Sequence, residues 1–278
     1  MKHAATLVLL SMGFSLGAAN VRAEDAAGTD IWTLVRTSLF ADRPIQEPAD
    51  DVVRLRIPSR AADAAVVPLA VSVGGPQSDD RYVRALYVVI DRNPSPVAAI
   101  FRFTPLSGRA DIETRVRIED YTHVRAIAEM NTGELYAATK YVKAAGGCSA
   151  PAAKSDGTTG LGRMRLVLED AAASGGPATA RLSVMHPNHS GLAMDQFTRH
   201  YTPAYFVRSI AVSFRGEPVM TADVDFSISE NPSVRFHFVA SEAGELKAQV
   251  VDTKDLTFET VLDVNPAGVS KAAAEVGR

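Results

Sequence analysis

Cysteine is almost absent from this chain: Cys148 is the single one in 278 residues. With no second thiol there can be no intramolecular disulfide framework, and a structural zinc site built from several cysteines is excluded. Clusters of positive charge are lacking as well. The 29 Lys and Arg are scattered among 32 Asp and Glu, giving a formal charge of −3, whereas holding a nucleic-acid backbone needs grouped cations. No nucleic-acid partner is expected. Past the first 23 residues no apolar run approaches the roughly 20 residues of a membrane-spanning helix. Gly74-Gly75 lacks the strand, helix and lysine of a phosphate loop, and there is no dinucleotide fingerprint, G-x-S-x-G elbow or H-E-x-x-H helix. The residues therefore point to no cofactor and to no enzymatic activity of the chain's own.

What is present begins with an export signal. Lys2 and His3 supply a positive start, Ala4 to Ala19 is apolar or small, and Val21-Arg22-Ala23 fits the small-x-small cleavage rule. Residues 1–23 are read as a signal peptide, so the mature chain is expected in the periplasm, with no membrane contact after cleavage. Its loss removes Lys2 and Arg22 and leaves 27 basic against 32 acidic residues, a charge of −5. With 46% hydrophobic residues, the remainder can bury a substantial core.

The order of elements follows from periodicity. Asp30 reads as the N-cap of a short helix carrying Ile31, Leu34, Val35 and Leu39 at helical spacing, and it stops before Pro44. The pattern then switches to period two. From Asp111 to Asp120, Ile112, Thr114, Val116 and Ile118 share one face, with Glu113, Arg115, Arg117 and Glu119 on the water side. Val66–Val73, Val83–Ile90 and Val97–Phe103 read as more buried strands, separated by turn chemistry at Gly74-Gly75-Pro76 and Asn93-Pro94. A second set follows: Met164–Leu168, Ala180–Met185, Phe206–Phe214, Pro218–Val224, Ser233–Val239, Leu246–Asp252 and Phe258–Val264, with Arg215-Gly216 at a tight hairpin. Seven short strands in about a hundred residues suggest an immunoglobulin-like sandwich. The fold class expected is all-β, two such sandwich domains, 24–145 and 164–278, joined by a flexible linker over 146–163.

Cys148 lies in that linker. From Ala144 to Gly162 the chain is small and turn-forming, with Leu161 its one large apolar residue, a composition that cannot offset the entropy of ordering and is expected to be mobile. Gly146, Gly147 and Ser149 keep the flanks of the thiol thin, so that it could enter a narrow active site. This fits a covalent attachment point more than a nucleophile, since His123 is the single histidine of the first domain and a mobile thiol cannot hold a pre-organised Cys–His pair. An intermolecular disulfide is also compatible with an odd cysteine in an oxidising compartment.

Two weaker constellations remain. Met185, His186, His189, Met194 and His200 have the ligand chemistry of an exported copper site but no regular spacing, and read as a polar loop; no metal is expected. Asp223 and Asp225 fall two apart on one strand, where an exposed face explains them as well as acid–base chemistry does.

The runs VPLAVSV, VRALYVVIDRNPSPVAAIFRF and IETRVRIEDYTHVRAIAEMNTGELY, closing on YVKAAGGC, resemble SoxY, the thiol-bearing subunit of the periplasmic sulfur-oxidation carrier. HPNHSGLAMD and YTPAYFVRSIAVSFRGEPVMTADVDFSISENPSVRFHF resemble its partner SoxZ. The resemblance implies a fused SoxYZ-like carrier in which the two domains pair within one chain and Cys148 bears a thiosulfate-derived group as a cysteine S-conjugate. It implies periplasmic redox partners, either Sox-type cytochromes with a hydrolase or a quinoprotein (PQQ-dependent) alcohol dehydrogenase system. In the second case the chain is an accessory protein whose cysteine carries another group or none. In the family the arm ends freely in Gly-Gly-Cys-Gly-Gly; here it continues through Ser149-Ala150-Pro151 into the second domain.

Overall fold

The computed structural model describes residues 23–47, 51–75, 77–150, 160–171, 176–195 and 197–265. The expected signal peptide up to residue 22, the middle of the expected linker (151–159) and the Ala-rich tail lie outside the described residues. One helix, α1 (Ala23–Phe40), opens the described chain. It begins seven residues before the expected cap at Asp30, because Ala-rich sequence upstream has high helix propensity. Ala41, at φ 51°, ends it in the left-handed conformation with its N–H on the Thr37 carbonyl at 3.0 Å. Phe40 is fully buried, edge-on to Tyr87 at 4.9 Å, and fixes the helix to the sheet. Among the described residues no helix is long and apolar enough to cross a membrane.

The rest is strand. The first half contributes β1 (Ile45–Gln46), β2 (Val53–Arg56), β3 (Val67–Val73), β4 (Val83–Ile90), β5 (Val97–Phe103), β6 (Ile112–Val116), β7 (Thr122–Met130) and β8 (Leu135–Val142). The second contributes β9 (Met164–Asp170), β10 (Ala178–Val184), β11 (Val207–Phe214), β12 (Glu217–Val224), β13 (Ser233–Phe238), β14 (Gly244–Asp252) and β15 (Thr257–Val264). All seven strands expected after the linker are present. Arg215 and Gly216, at φ 55° and 84°, form the tight turn between β11 and β12, the pair of positive φ angles that a two-residue hairpin of matching twist requires.

Two sheets hold both halves. One has nine strands in the order β1-β8-β7-β4-β5-β12-β11-β14-β15, the other six in the order β2-β3-β6-β13-β10-β9. The halves meet edge to edge: β5 pairs with β12 from Ala99↔Val224 to Phe103↔Met220, and β6 with β13 at Glu113↔Arg235. Strands that would otherwise present bare edges are thereby satisfied. Side chains tie the same seam, with Arg102 on Asp223 at 2.6 Å and Ser107 Oγ donating to the Val219 carbonyl at 2.8 Å. One apolar core, from Val53 in β2 to Val264 in β15, runs through both halves.

The strand expected over Asp111–Asp120 is shorter and less one-sided than its pattern suggests. Ile112, Thr114, Val116 and Ile118 are buried as expected, but Arg117, placed on the water side by period two, is also buried. The second half of the chain covers it: its Nη1 donates to the carbonyls of Asn188, Phe226 and Ile228 at 2.7, 2.8 and 2.9 Å.

Candidate functional site

The chain after β6 continues extended as Arg117-Ile118-Glu119, and Asn93 fixes it from the preceding turn. Asn93 Nδ2 donates to the Arg117 carbonyl at 2.8 Å, and its Oδ1 accepts the Glu119 N–H at 2.9 Å. This short stretch is what receives the cysteine. The segment leaving β8 turns onto it, with the Gly146 N–H on the Glu119 carbonyl at 2.8 Å and the Gly147 N–H on the Ile118 carbonyl at 2.9 Å.

The Glu119 side chain then closes around the thiol-bearing residue. Its carboxylate accepts the Cys148 N–H at 2.8 Å, the Ser149 N–H at 3.1 Å and the Ser149 hydroxyl at 2.9 Å. From the second half of the chain, the Ser190 hydroxyl donates to the Cys148 carbonyl. Cys148 is 1% exposed. The glycines matter sterically here. Gly146 sits at φ +80°, and a Cβ on Gly147 would stand 2.1 Å from the Ala64 carbonyl oxygen and 2.7 Å from that of Ile118, a clash no side chain can make.

The end of the linker that carries the cysteine is therefore docked, which corrects the expectation of a mobile tether over these residues. Composition sets the local entropy cost correctly, but five hydrogen bonds to Ile118 and Glu119 offset it, bonds to charged groups being worth about 1.5–3 kcal/mol each. Docking also changes the chemistry. Burial pushes the Cys148 thiol up to about 12, with Glu119 and Asp225 adding to the rise and Arg117 opposing it. At neutral pH the docked sulfur is an un-ionised thiol, a poor nucleophile, and it is not presented for an intermolecular disulfide.

Arg117 supports this platform, being buried on the same short stretch as Glu119 and bonded to three carbonyls of the second half. Burial holds its pKa below the usual guanidinium value. Arg117→Met takes the donor from the Asn188 and Phe226 carbonyl oxygens and leaves the Ile228 carbonyl to Asn188 Nδ2 alone, at 3.1 Å, and we expect a loss of about 2–4 kcal/mol, read as a shift in the chemical-denaturation midpoint. A shift under about 0.5 kcal/mol, the size of an ordinary surface substitution, would contradict this.

The other candidates separate. His123 packs edge-on to Tyr141 at 5.1 Å. His186 is buried, its Nδ1 accepting the Asn188 N–H at 3.1 Å and its Nε2 3.5 Å from Asp252 Oδ2, while the Tyr205 hydroxyl takes the same Asp252 oxygen at 2.7 Å. Met185 and His200 are exposed, and Met194 pairs with Tyr201 across a loop. Among the described residues no group of three or more His, Cys, Asp or Glu could hold a metal ion. Asp223 and Asp225 do not share a strand face as expected, because β12 stops at Val224. Asp223 is exposed and paired with Arg102, whereas Asp225 is half-buried and accepts the Ser227 N–H at 3.2 Å.

Glu119, Asn93, Arg117 and Ser190 complete the site without having been singled out. Asn93 was visible as turn chemistry; no local signal marks the others.

Two family models match the chain: Sulfur oxidation protein SoxY over residues 36–148 and Sulphur oxidation protein SoxZ over residues 164–263. Among solved structures, the sulfur carrier protein SoxY from Chlorobium limicola f thiosulfatophilum is 22% identical, covering 43% of this chain and 96% of that one at a TM-score of 0.37. A superoxide reductase (neelaredoxin) from Ignicoccus hospitalis is 20% identical, over 35% of this chain and 87% of that one, at 0.30. Fibronectin(III)-like modules of Clostridium thermocellum CbhA are 10% identical, over 76% and 93%, at 0.21. No curated protein matches the chain.

Proposed function

Because the chain belongs to the SoxYZ family of sulfur-oxidation carrier proteins, we propose that it is a non-catalytic periplasmic carrier that holds a thiosulfate-derived group on Cys148 while partner enzymes process it. The observation that carries this reading is the clasp: the single cysteine, at the last residue of the SoxY match, has a dedicated seat made by Glu119, Ile118 and Ser190. In loading, the sulfane sulfur of thiosulfate bonds to Sγ, the thiol proton leaves, and two electrons pass to a redox partner of the haem-protein class. The product is a cysteine S-thiosulfonate. Attack or oxidation at Sγ needs it out of the seat, so the docked state stores the thiol and the thin Gly146-Gly147 hinge releases it to the partner.

Chain purified without reductant from the periplasm of thiosulfate-fed cells should show an intact mass raised by a thiosulfonate or sulfonate group on Cys148. Bare thiol in every such preparation would overturn the reading.

A further inference from the structure

The loop that bonds the Cys148 carbonyl also carries the most exposed aromatic ring among the described residues. Phe197 is 97% exposed, with Tyr201 at 59% and Leu192 at 37% on the same excursion between His189 and Tyr205. The excursion is a closed hairpin. At its base the His189 and Tyr205 N–H groups exchange bonds to each other's carbonyls at 2.7 and 3.0 Å, and the Thr202 N–H bonds the Ala193 carbonyl at 2.9 Å.

The tip is pre-organised. Asp195 Oδ1 accepts the N–H groups of Phe197 and Thr198 at 3.0 and 2.7 Å and the Thr198 hydroxyl at 3.0 Å. The Asp195 N–H in turn bonds the His200 carbonyl at 2.9 Å. Such a turn displays the ring of Phe197 outward at little further conformational cost. Rigid, solvent-facing aromatic side chains are the residue type that anchors protein interfaces, where they fill a pocket on the partner.

The stem of the same hairpin touches the cysteine. The Ser190 hydroxyl donates to the Cys148 carbonyl and accepts the Leu192 N–H at 3.1 Å. One hydrogen bond thus joins the hairpin with the apolar tip to the residue that bears the thiol, which makes an enzyme that works on Cys148 the partner this tip fits. We propose that the 189–205 hairpin is the docking element for the redox enzyme that loads Cys148, with Phe197 seated in an apolar, ring-sized pocket on that enzyme. Engaging the tip pulls on Ser190 and so couples docking to release of the arm. This rests on the carrier reading above.

The test compares two routes to the same conjugate. In cells fed thiosulfate, Phe197→Ala should lower the fraction of chain loaded on Cys148 about tenfold or more, and Phe197→Trp should keep it. With purified chain and tetrathionate, where the Cys148 thiolate attacks the central S–S bond to give the S-thiosulfonate and release thiosulfate, both variants should load at the parent rate. Parent and Phe197→Ala loaded equally in cells would overturn the docking proposal alone. Phe197→Ala slowed also toward tetrathionate would assign the hairpin to holding the arm, and overturn it too. A parent chain never loaded in cells would overturn the carrier reading and this proposal together.

Discussion

Gly147→Ala should raise the rate at which iodoacetamide alkylates Cys148 at neutral pH by about a thousandfold, because the added methyl cannot coexist with the docked arm. Its Cβ would lie 2.1 Å from the Ala64 carbonyl oxygen, and that oxygen is fixed by the Ile118 N–H at 2.9 Å. With the arm out of its seat, the thiol falls from about 12 to the ordinary cysteine value of about 8.5, and each unit is a tenfold gain in thiolate at fixed pH. The pH profile separates this from a general loosening. The neutral thiol fits the seat and the thiolate does not, so docking is fully stable below about pH 8.5 and is lost as pH rises toward 12. Alkylation of the parent should keep rising across that range, while the variant levels off near pH 9. Glu119→Gln, which keeps the shape of the clasp but not its charge, should give a smaller gain of about tenfold. A Gly147→Ala chain alkylated at the parent rate would show that the seat is not what protects the thiol.

Cys148→Ser should abolish sulfur loading of the chain and reduce thiosulfate-dependent electron flow in the cells that carry it to background. A serine hydroxyl cannot form the S–S bond that the proposed carriage of thiosulfate requires, and no other cysteine in the chain can substitute. The change is close to isosteric in a seat built from backbone contacts, so stability should move by about 1 kcal/mol or less. That separates loss of the carried group from loss of fold. Oxidation of thiosulfate at the parent rate by Cys148→Ser cells would contradict carriage outright.

Much of this was legible in the residues. Nearly continuous apolar runs between turn residues placed β4 and β5, and short apolar runs with turn signals between them placed every strand of the second half, because a strand buried on both faces needs apolar residues on both. The lone Cys148 between Gly147 and Ser149 marked the residue on which the proposed carriage rests. What could not be read is long-range. Arg117 alternates onto a face that would meet water in an isolated sandwich; it is buried because the second half of the chain supplies Asn188, Phe226 and Ile228 as its partners. The arm looked mobile for a related reason. Its composition reports what ordering costs, while the carboxylate that offsets the cost, Glu119, lies 29 residues upstream. The seam between the halves is likewise a property of two strand edges, β5 and β12, and neither sequence names the other.

The most direct measurement feeds cells thiosulfate radiolabelled in its sulfane sulfur and follows the label on this chain through purification without reductant. The account predicts label on the parent chain, released quantitatively by dithiothreitol and absent from Cys148→Ser. A chain that stays unlabelled while the cells consume the thiosulfate would contradict it.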